Sequence, residues 1–341
     1  MEVKTIILDE SRNVKMTAII QKVGGEFIRI AKRPAMLVLP GGGYQMCSDL
    51  EAEPVAIAFA KAGYQAFVLR YSVGEYSKWP NPLNDYENAM ELIKATADEW
   101  GVYPNKVAVA GFSAGAHLAA CAATIAKNKP AAALLGYGVY SGEISEMLQP
   151  GMPGPLDSVN DDTCPCFLFA TRDDIMAPVS ETIQFGLQLA KQKTTFESHI
   201  YAYGMHGFST GESAIPIGRT CSRCKNWVDD SVEFLKDVMG DIGNNILTVP
   251  RYGTKTNDDG AVFLSVDCTV PHLMKYQESL KAHPILSPVV QQLNDMMLSG
   301  QVGLGIQWLS VNIRLRDILI YLQMPDSSID EIDSALKKIP Q

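Results

Sequence analysis

The sequence predicts an α/β fold: a mostly parallel central sheet with helices on both faces, followed by a small, mostly helical C-terminal appendage. Three observations carry this. From about residue 35 to 240, short apolar runs of strand length alternate with longer stretches whose apolar residues recur at helical spacing, a pattern that packs as parallel strands with covering helices. Val107-Ala108-Val109-Ala110 leads into Gly111-Phe112-Ser113-Ala114-Gly115 and then the Ala-rich run Ala116 to Ala123, the order strand, sharp turn, helix. Past Gly240 the alternation stops and helical stretches dominate.

In chain order, residues 1–32 alternate loosely, with Val3, Ile6 and Leu8, then Val14, Met16, Ala18 and Ile20, then Phe27, Ile28 and Ile30. This predicts antiparallel edge strands with turns at Ser11-Arg12-Asn13 and Gly24-Gly25. Ala35 to Leu39 is a continuous apolar run, hence a buried strand. A helix is predicted over Glu53 to Ala62, a strand over Gln65 to Arg70 and a long helix over Asp85 to Trp100, with Asp85 as its N-cap. Val107 to Ala110 and Ser113 to Thr124 follow as strand and helix. Further strands are predicted at Ala131 to Leu135, Cys166 to Ala170 and Phe196 to Tyr201, with helices at Ser180 to Gln192 and Arg223 to Met239. Residues 137–163, rich in Gly, Pro, Ser and Asp, read as a loop or small lid. Loops at this edge of an α/β sheet shape the pocket.

In the appendage, Gly243-Asn244-Asn245 and Gly253 to Gly260 are turn-rich, and Ala261 to Val266 is strand-like. Pro288 to Leu298 puts Val289, Val290, Leu293, Met296 and Met297 on one helical face. That face is either internal core or a dimer seam, and the second would make a homo-oligomer. Ile306 to Leu322 is broadly apolar, and Ser328 to Ile339 begins with an N-cap serine and Asp330-Glu331 in its first turn.

Composition excludes several classes. The 341 residues are 47% hydrophobic and 20% charged, with a net charge of −9 and a pI of about 5.1. An acidic chain of this kind does not point to nucleic acid or an anionic membrane surface as main partner. No apolar run reaches membrane-spanning length, and Met1 to Thr5 lacks a basic region followed by an apolar one. Seven cysteines are an odd number in a chain large enough to fold without disulfides, so reduced thiols and a cytoplasmic location are expected. Cys164-Pro165-Cys166 and Cys221-Ser222-Arg223-Cys224 do not complete a zinc site, and no metal or cofactor is expected.

The chemistry is carried by three segments. In Gly111-Phe112-Ser113-Ala114-Gly115 a strained turn lifts the Ser113 hydroxyl above the sheet at a helix N-terminus, where partial positive charge favours a nearby oxyanion. A serine nucleophile needs a base, and the base needs an orienting carboxylate. Of five histidines, only His206 lies in a Gly-rich loop after a late strand, whereas His117 belongs to the helix after the turn and His199 to a strand. Two adjacent aspartates follow the strand at Cys166 to Ala170, and Asp174, shortly before Ala177-Pro178, is preferred over Asp173. Pro40-Gly41-Gly42-Gly43-Tyr44 follows the first buried strand and exposes backbone N–H groups without side chains. The N–H groups of Gly42 or Gly43 and of Ala114 are the expected oxyanion donors, each worth about 3 kcal/mol in a transition state. Tyr44, Tyr71 and Trp79 are either pocket-mouth residues or core anchors. Glu51 and Glu53 read as a solvated helix start.

With Leu39 to Tyr44, Gly63-Tyr64, Val68 to Tyr71, Pro82 to Asp85, Gly111 to Leu118 and His206 to Phe208 in this order, the chain resembles the acetyl-esterase/xylan-esterase-like branch of the α/β-hydrolase superfamily. The resemblance covers roughly residues 1–240. It implies an α/β-hydrolase catalytic domain over 1–244, with 245–341 as an appendage of unassigned role. It implies a Ser113, His206, Asp174 triad and hydrolysis of short acyl esters, often acetyl groups on sugars. Pro40 stands where many relatives carry His before the glycines, and Ala116 where many carry Gly. Ser113-Ala114-Gly115-Ala116-His117-Leu118 is also similar to kynurenine formamidases, which makes arylformamide cleavage an alternative. A non-catalytic binding or assembly protein on the same fold is the other.

Overall fold

Buried strands need apolar residues toward both faces, and the chain supplies them in runs. The eight strands are β1 (Glu2–Asp9), β2 (Val14–Ile20), β3 (Arg33–Leu39), β4 (Gln65–Arg70), β5 (Val102–Phe112), β6 (Ala133–Gly136), β7 (Cys166–Thr171) and β8 (Phe196–Tyr201). They form one sheet in the order β1-β2-β4-β3-β5-β6-β7-β8. The β1/β2 and β2/β4 pairs are antiparallel and all others parallel. This is the α/β architecture expected, seen in a computed structural model that describes residues 1–27, 30–212, 220–240, 242, 264–298, 314–321 and 324–339.

The strand period sorts side chains between two cores. Ala35, Leu37 and Leu39 of β3, with Val107 and Val109 of β5, face helices α2 (Asn81–Ala95), α3 (Ala114–Thr124) and α5 (Val179–Lys191). Met36, Val38, Ala108, Ala110 and Phe112 face the other way, onto α1 (Glu53–Lys61) and α6 (Trp227–Met239). Both layers converge on the end of β5, where α3 starts.

Several sequence readings change. Helix α2 begins at Asn81 with Pro82 in its first turn and ends at Ala95, so Asp85 is not its N-cap. Asp85 is buried inside the helix, where Oδ2 accepts the Ser72 N–H at 2.8 Å and Oδ1 lies 2.9 Å from the Arg12 guanidinium. The segment 137–163 contains a helix, α4 (Gly142–Leu148), and a 3₁₀ turn at Pro155–Ser158. It is anchored because Glu181, on the first turn of α5, accepts the N–H groups of Tyr140 (2.7 Å) and Ser141 (2.8 Å). Phe27 and Ile30 carry no strand, Phe27 only bridging Gly24, while Ile28 lies outside the described residues.

The chain divides into two compact units, residues 1–252 and 253–341. The second has its own core of Leu264, Val266, Leu273, Leu286, Leu319, Ile332 and Leu336, on α7 (Val270–Leu273), α8 (Gln277–Lys281), α9 (Leu286–Leu298), α10 (Leu315–Tyr321) and α11 (Asp326–Leu336). Val289 and Val290 are buried in this core, so that part of the predicted apolar face is internal. The side chains of Leu293, Met296 and Met297 lie outside the described residues, as do residues 243–263 and 306–313. Leu264 to Val266 form no strand, and Ser328 sits inside α11, which starts after Pro325. A buried ion pair, Arg316 Nε to Asp267 Oδ1 at 2.7 Å and Nη2 to Oδ2 at 3.0 Å, joins α10 to the segment before α7.

Candidate active site

β5 ends at Phe112 and α3 begins at Ala114, so Ser113 alone makes the turn. It holds φ 53° and ψ −119°, a region costly for a residue with a side chain. The turn is this tight because its glycines allow it: a Cβ on Gly111 would strike the Gly115 carbonyl, and one on Gly115 the Leu39 carbonyl. The Ser113 N–H donates to the Gly136 carbonyl at 3.0 Å, tying the turn to β6.

The structure brings Ser113, His206 and Asp174 together. Ser113 Oγ lies 2.8 Å from His206 Nε2, and His206 Nδ1 lies 2.7 Å from Asp174 Oδ2. The Asp174 side chain is fully buried, and its Oδ1 accepts the N–H groups of Met176 (2.8 Å) and Ala177 (3.0 Å). Those bonds fix the carboxylate in one orientation. Asp173 points elsewhere: its Oδ1 accepts the Gly204 N–H at 2.7 Å, bracing the loop that carries His206.

The glycine loop leaves β3 directly beside the turn, where a Cβ on Gly41 would sit 2.9 Å from the Ser113 Cβ. Gly42, Gly43 and Tyr44 all have positive φ, at 124°, 60° and 60°. The Gly42 carbonyl turns inward to accept from Gln45 (3.0 Å) and Met46 (3.3 Å). Among the described residues, the N–H groups of Gly42, Gly43 and Ala114 donate to no protein acceptor. Three unspent donors flank a serine at a helix N-terminus, an arrangement suited to developing negative charge.

Tyr44 and Tyr71 are corrected from the pocket mouth to the interior: both are fully buried. The Tyr71 hydroxyl donates to the Pro40 carbonyl at 2.6 Å and holds the root of the glycine loop. The Tyr44 hydroxyl lies 2.7 Å from His117 Nδ1, and His117 Nε2 lies 2.8 Å from the Pro153 carbonyl. A carbonyl only accepts, so Nε2 carries the proton and Nδ1 accepts from Tyr44. Trp79 is half-buried, its ring edge-on to His117 at 6.3 Å. His117 is therefore a satisfied structural histidine.

Burial pushes the His117 pKa down to about 4, the Pro153 carbonyl opposing weakly. Unfolded, it titrates near 6.5. Between these values only the unfolded chain binds the proton, so this contribution is complete above pH 6.5 and is lost as pH falls toward 4. Denaturant unfolding of wild type and His117→Gln at pH 7 and pH 5 should show wild type losing about 2 kcal/mol more than the variant. Parallel losses would contradict a neutral buried imidazole.

Sequence reasoning missed Glu51. It is not a solvated helix start but is buried, on a short 3₁₀ turn (Asp49–Glu51) after the glycine loop. Its Oε2 accepts the Gly41 N–H at 2.8 Å and its Oε1 accepts the Tyr137 hydroxyl at 2.7 Å. Burial raises its pKa, opposed in turn by the Tyr137 and Gly41 hydrogen bonds and by His206. Glu53, in contrast, pairs with Arg70 at 3.1 Å on the surface. Nothing local in the sequence separates these two acids. All seven cysteines are free thiols. Among the described residues no cluster of metal-ligating side chains forms and no helix is long and apolar enough to cross a membrane.

Comparison with known proteins agrees with this fold. The BD-FAE family model matches residues 29–149. The structure is similar to that of MGS-M1, an α/β-hydrolase enzyme from a Medee basin deep-sea metagenome library, at 38% identity and a TM-score of 0.65, over 70% of this chain and 98% of that one. Endo-1,4-beta-xylanase B of Butyrivibrio fibrisolvens is 31% identical over 209 residues, which are 52% of this chain and 33% of the relative. Acetylxylan esterase of Xylanibacter ruminicola is 27% identical over 199 residues, 52% of this chain and 41% of the relative. The chain thus spans less than half the length of these two curated relatives. With its sheet order, its serine turn and a whole-length match to a solved member, the chain belongs to the α/β-hydrolase family.

Proposed function

We propose that the chain is a serine carboxylic-ester hydrolase acting on short acyl esters, acetyl above all, with acetylated sugars as the substrate class. The observation that supports this most is the continuous hydrogen-bonded line from Ser113 through His206 to Asp174, beside the unspent N–H groups of Gly42, Gly43 and Ala114. In this reading Ser113 Oγ attacks the acyl carbon while His206 Nε2 takes its proton. The oxyanion is received by the N–H groups. His206 then protonates the leaving alcohol, and water, deprotonated by His206, releases the acid from Ser113. Asp174 holds the imidazole with Nδ1 protonated.

The acyl preference is testable with one alcohol and two acids. Acetyl esters should be cleaved with kcat/KM at least about tenfold above octanoyl esters, since even one methylene that a pocket does not accommodate is worth a factor of ~10. A preference for octanoyl would overturn the short-acyl reading. Labelling at Ser113 by a fluorophosphonate should be stoichiometric; a folded protein that does not label would favour the non-catalytic binder.

One observation favours a second reading of the leaving group. Ile175 and Met176, 90% and 71% exposed, follow Asp174, and Met205, 54% exposed, precedes His206. Apolar side chains on the very loops that carry the triad suit an aryl group. N-formylkynurenine cleaved faster than every acetyl ester would promote the arylformamidase alternative. Seven free thiols support a reducing, cytoplasmic setting.

A further inference from the structure

We propose that Glu51 is a positioning residue that couples the glycine loop to the histidine loop and presents a second carboxylate to the imidazolium formed during turnover. This rests on the ester-hydrolase reading above. Four hydrogen bonds make the coupling. Glu51 Oε2 receives the Gly41 N–H at 2.8 Å, at the root of the glycine loop. Glu51 Oε1 receives the Tyr137 hydroxyl at 2.7 Å. The Tyr137 oxygen in turn accepts the Ser209 N–H at 3.0 Å, three residues past His206. The Ser209 hydroxyl donates to the Leu50 carbonyl, next to Glu51, and closes the circuit.

The circuit leaves little freedom. A Cβ on Gly41 would lie 2.6 Å from Glu51 Oε2 and 2.7 Å from the Phe112 carbonyl, so Gly41 is wedged between the carboxylate and the serine turn. Tyr137 holds φ 36°, and its ring stands edge-on to the His206 ring at 5.0 Å. A brace alone does not require a charge. Glu51 is buried and, among the described residues, makes no ion pair with Lys or Arg. Burying an unpaired carboxylate is costly. Both Glu51 oxygens accept and neither needs to donate, so the two hydrogen bonds favour the ionised form against the burial that raises its pKa. The groups facing His206 are Asp174, Ser113, Tyr137 and, behind the Tyr137 hydroxyl, Glu51. Those facing Glu51 are Tyr137, Tyr71 and His206. The positive charge that answers Glu51 is therefore the one that appears on His206 when it takes the serine proton.

The substitution Glu51→Gln keeps the shape and removes the charge. Its amide can satisfy the Gly41 N–H or the Tyr137 hydroxyl, but not both as acceptor. Two measurements follow, the rate of Ser113 phosphonylation by a fluorophosphonate against pH and the kinetics of acetyl-ester hydrolysis. In Glu51→Gln, labelling rate and kcat should fall about tenfold, less than the ~10²–10³ of losing an oxyanion donor outright, with KM within about threefold. Its acid limb should move to lower pH, because removing a nearby negative charge disfavours the imidazolium. Tyr137→Phe keeps the charge and cuts the link to Ser209; it should lose rate without moving the acid limb downward. Unchanged rates, or a loss in Glu51→Gln with the acid limb unmoved, would overturn the proposal. If Glu51→Gln does not fold, wild-type rates in Tyr137→Phe overturn it and reduced rates support it. A wild type that labels at Ser113 but hydrolyses no ester would sink the substrate reading alone, and the labelling rates would still decide the role of Glu51.

Discussion

Ser113→Ala should abolish ester turnover, with kcat falling by about 10⁶, because the members of such a triad act as a unit. The fold should survive. Alanine meets the same backbone at φ 53° that serine already tolerates. His206→Ala should lose a similar factor, since an alkoxide cannot form at neutral pH without a base at Nε2 distance. His117→Gln should keep kcat, because both its nitrogens are bound to Tyr44 and Pro153, away from the serine. Turnover by purified variants, with thermal unfolding as the check on folding, decides this. Near-normal activity in folded Ser113→Ala would reject the nucleophile, and a dead His117→Gln beside an active His206→Ala would reject the base.

Asp174→Asn should cost about 10⁴ in kcat, and Asp173→Asn less than about tenfold, a structural effect of ordinary size. At 174 the two backbone N–H groups of Met176 and Ala177 demand an oxygen. The asparagine must give them its carbonyl, which turns its NH₂ toward His206 Nδ1. The imidazole then carries its proton on Nε2 and can no longer accept one from Ser113. At 173 the buried demand is the Gly204 N–H, which an amide oxygen meets as well as a carboxylate, and the other partner is an exposed Arg172 guanidinium at 3.7 Å, an ion pair worth little. Steady-state kinetics of both variants, at equal unfolding midpoints, separate them. Equal losses or the reverse ranking would contradict the arrangement.

Local pattern carried most of the fold. β4 and β8 begin and end where the apolar and alternating runs do, at Gln65 and Arg70 and at Phe196 and Tyr201. Gly111 to Gly115 marked the serine turn because its constraint is local: two small residues, one strand and one helix within a few positions. What stayed hidden depends on distant partners. Glu51 looks like Glu53 until Tyr137, 86 residues later, reaches it. Asp85 looks like a helix cap until Arg12 and Ser72 arrive. Tyr44 and Tyr71 look like rim aromatics, yet each hydroxyl finds a buried acceptor, which is what allows a tyrosine to be fully interior. The helix α4 was masked by the Pro and Gly that follow it, Gln149 to Pro155.

The helix behind Ser113 constrains the ways in which this protein can change. All eleven residues of α3 are buried, eight of them being Ala, Gly or Cys, and a Cβ on Gly115 would strike the Leu39 carbonyl. Adding volume to side chains buried this completely costs about 1–3 kcal/mol in strain. Room for substitution is thus small on the α3 side of Ser113. It is open across the site, on the segments after Asp174 and before His206, where Ile175, Met176 and Met205 face solvent and can be exchanged at little cost to stability. A library confined to those three positions should change alcohol preference while leaving the unfolding temperature almost unmoved.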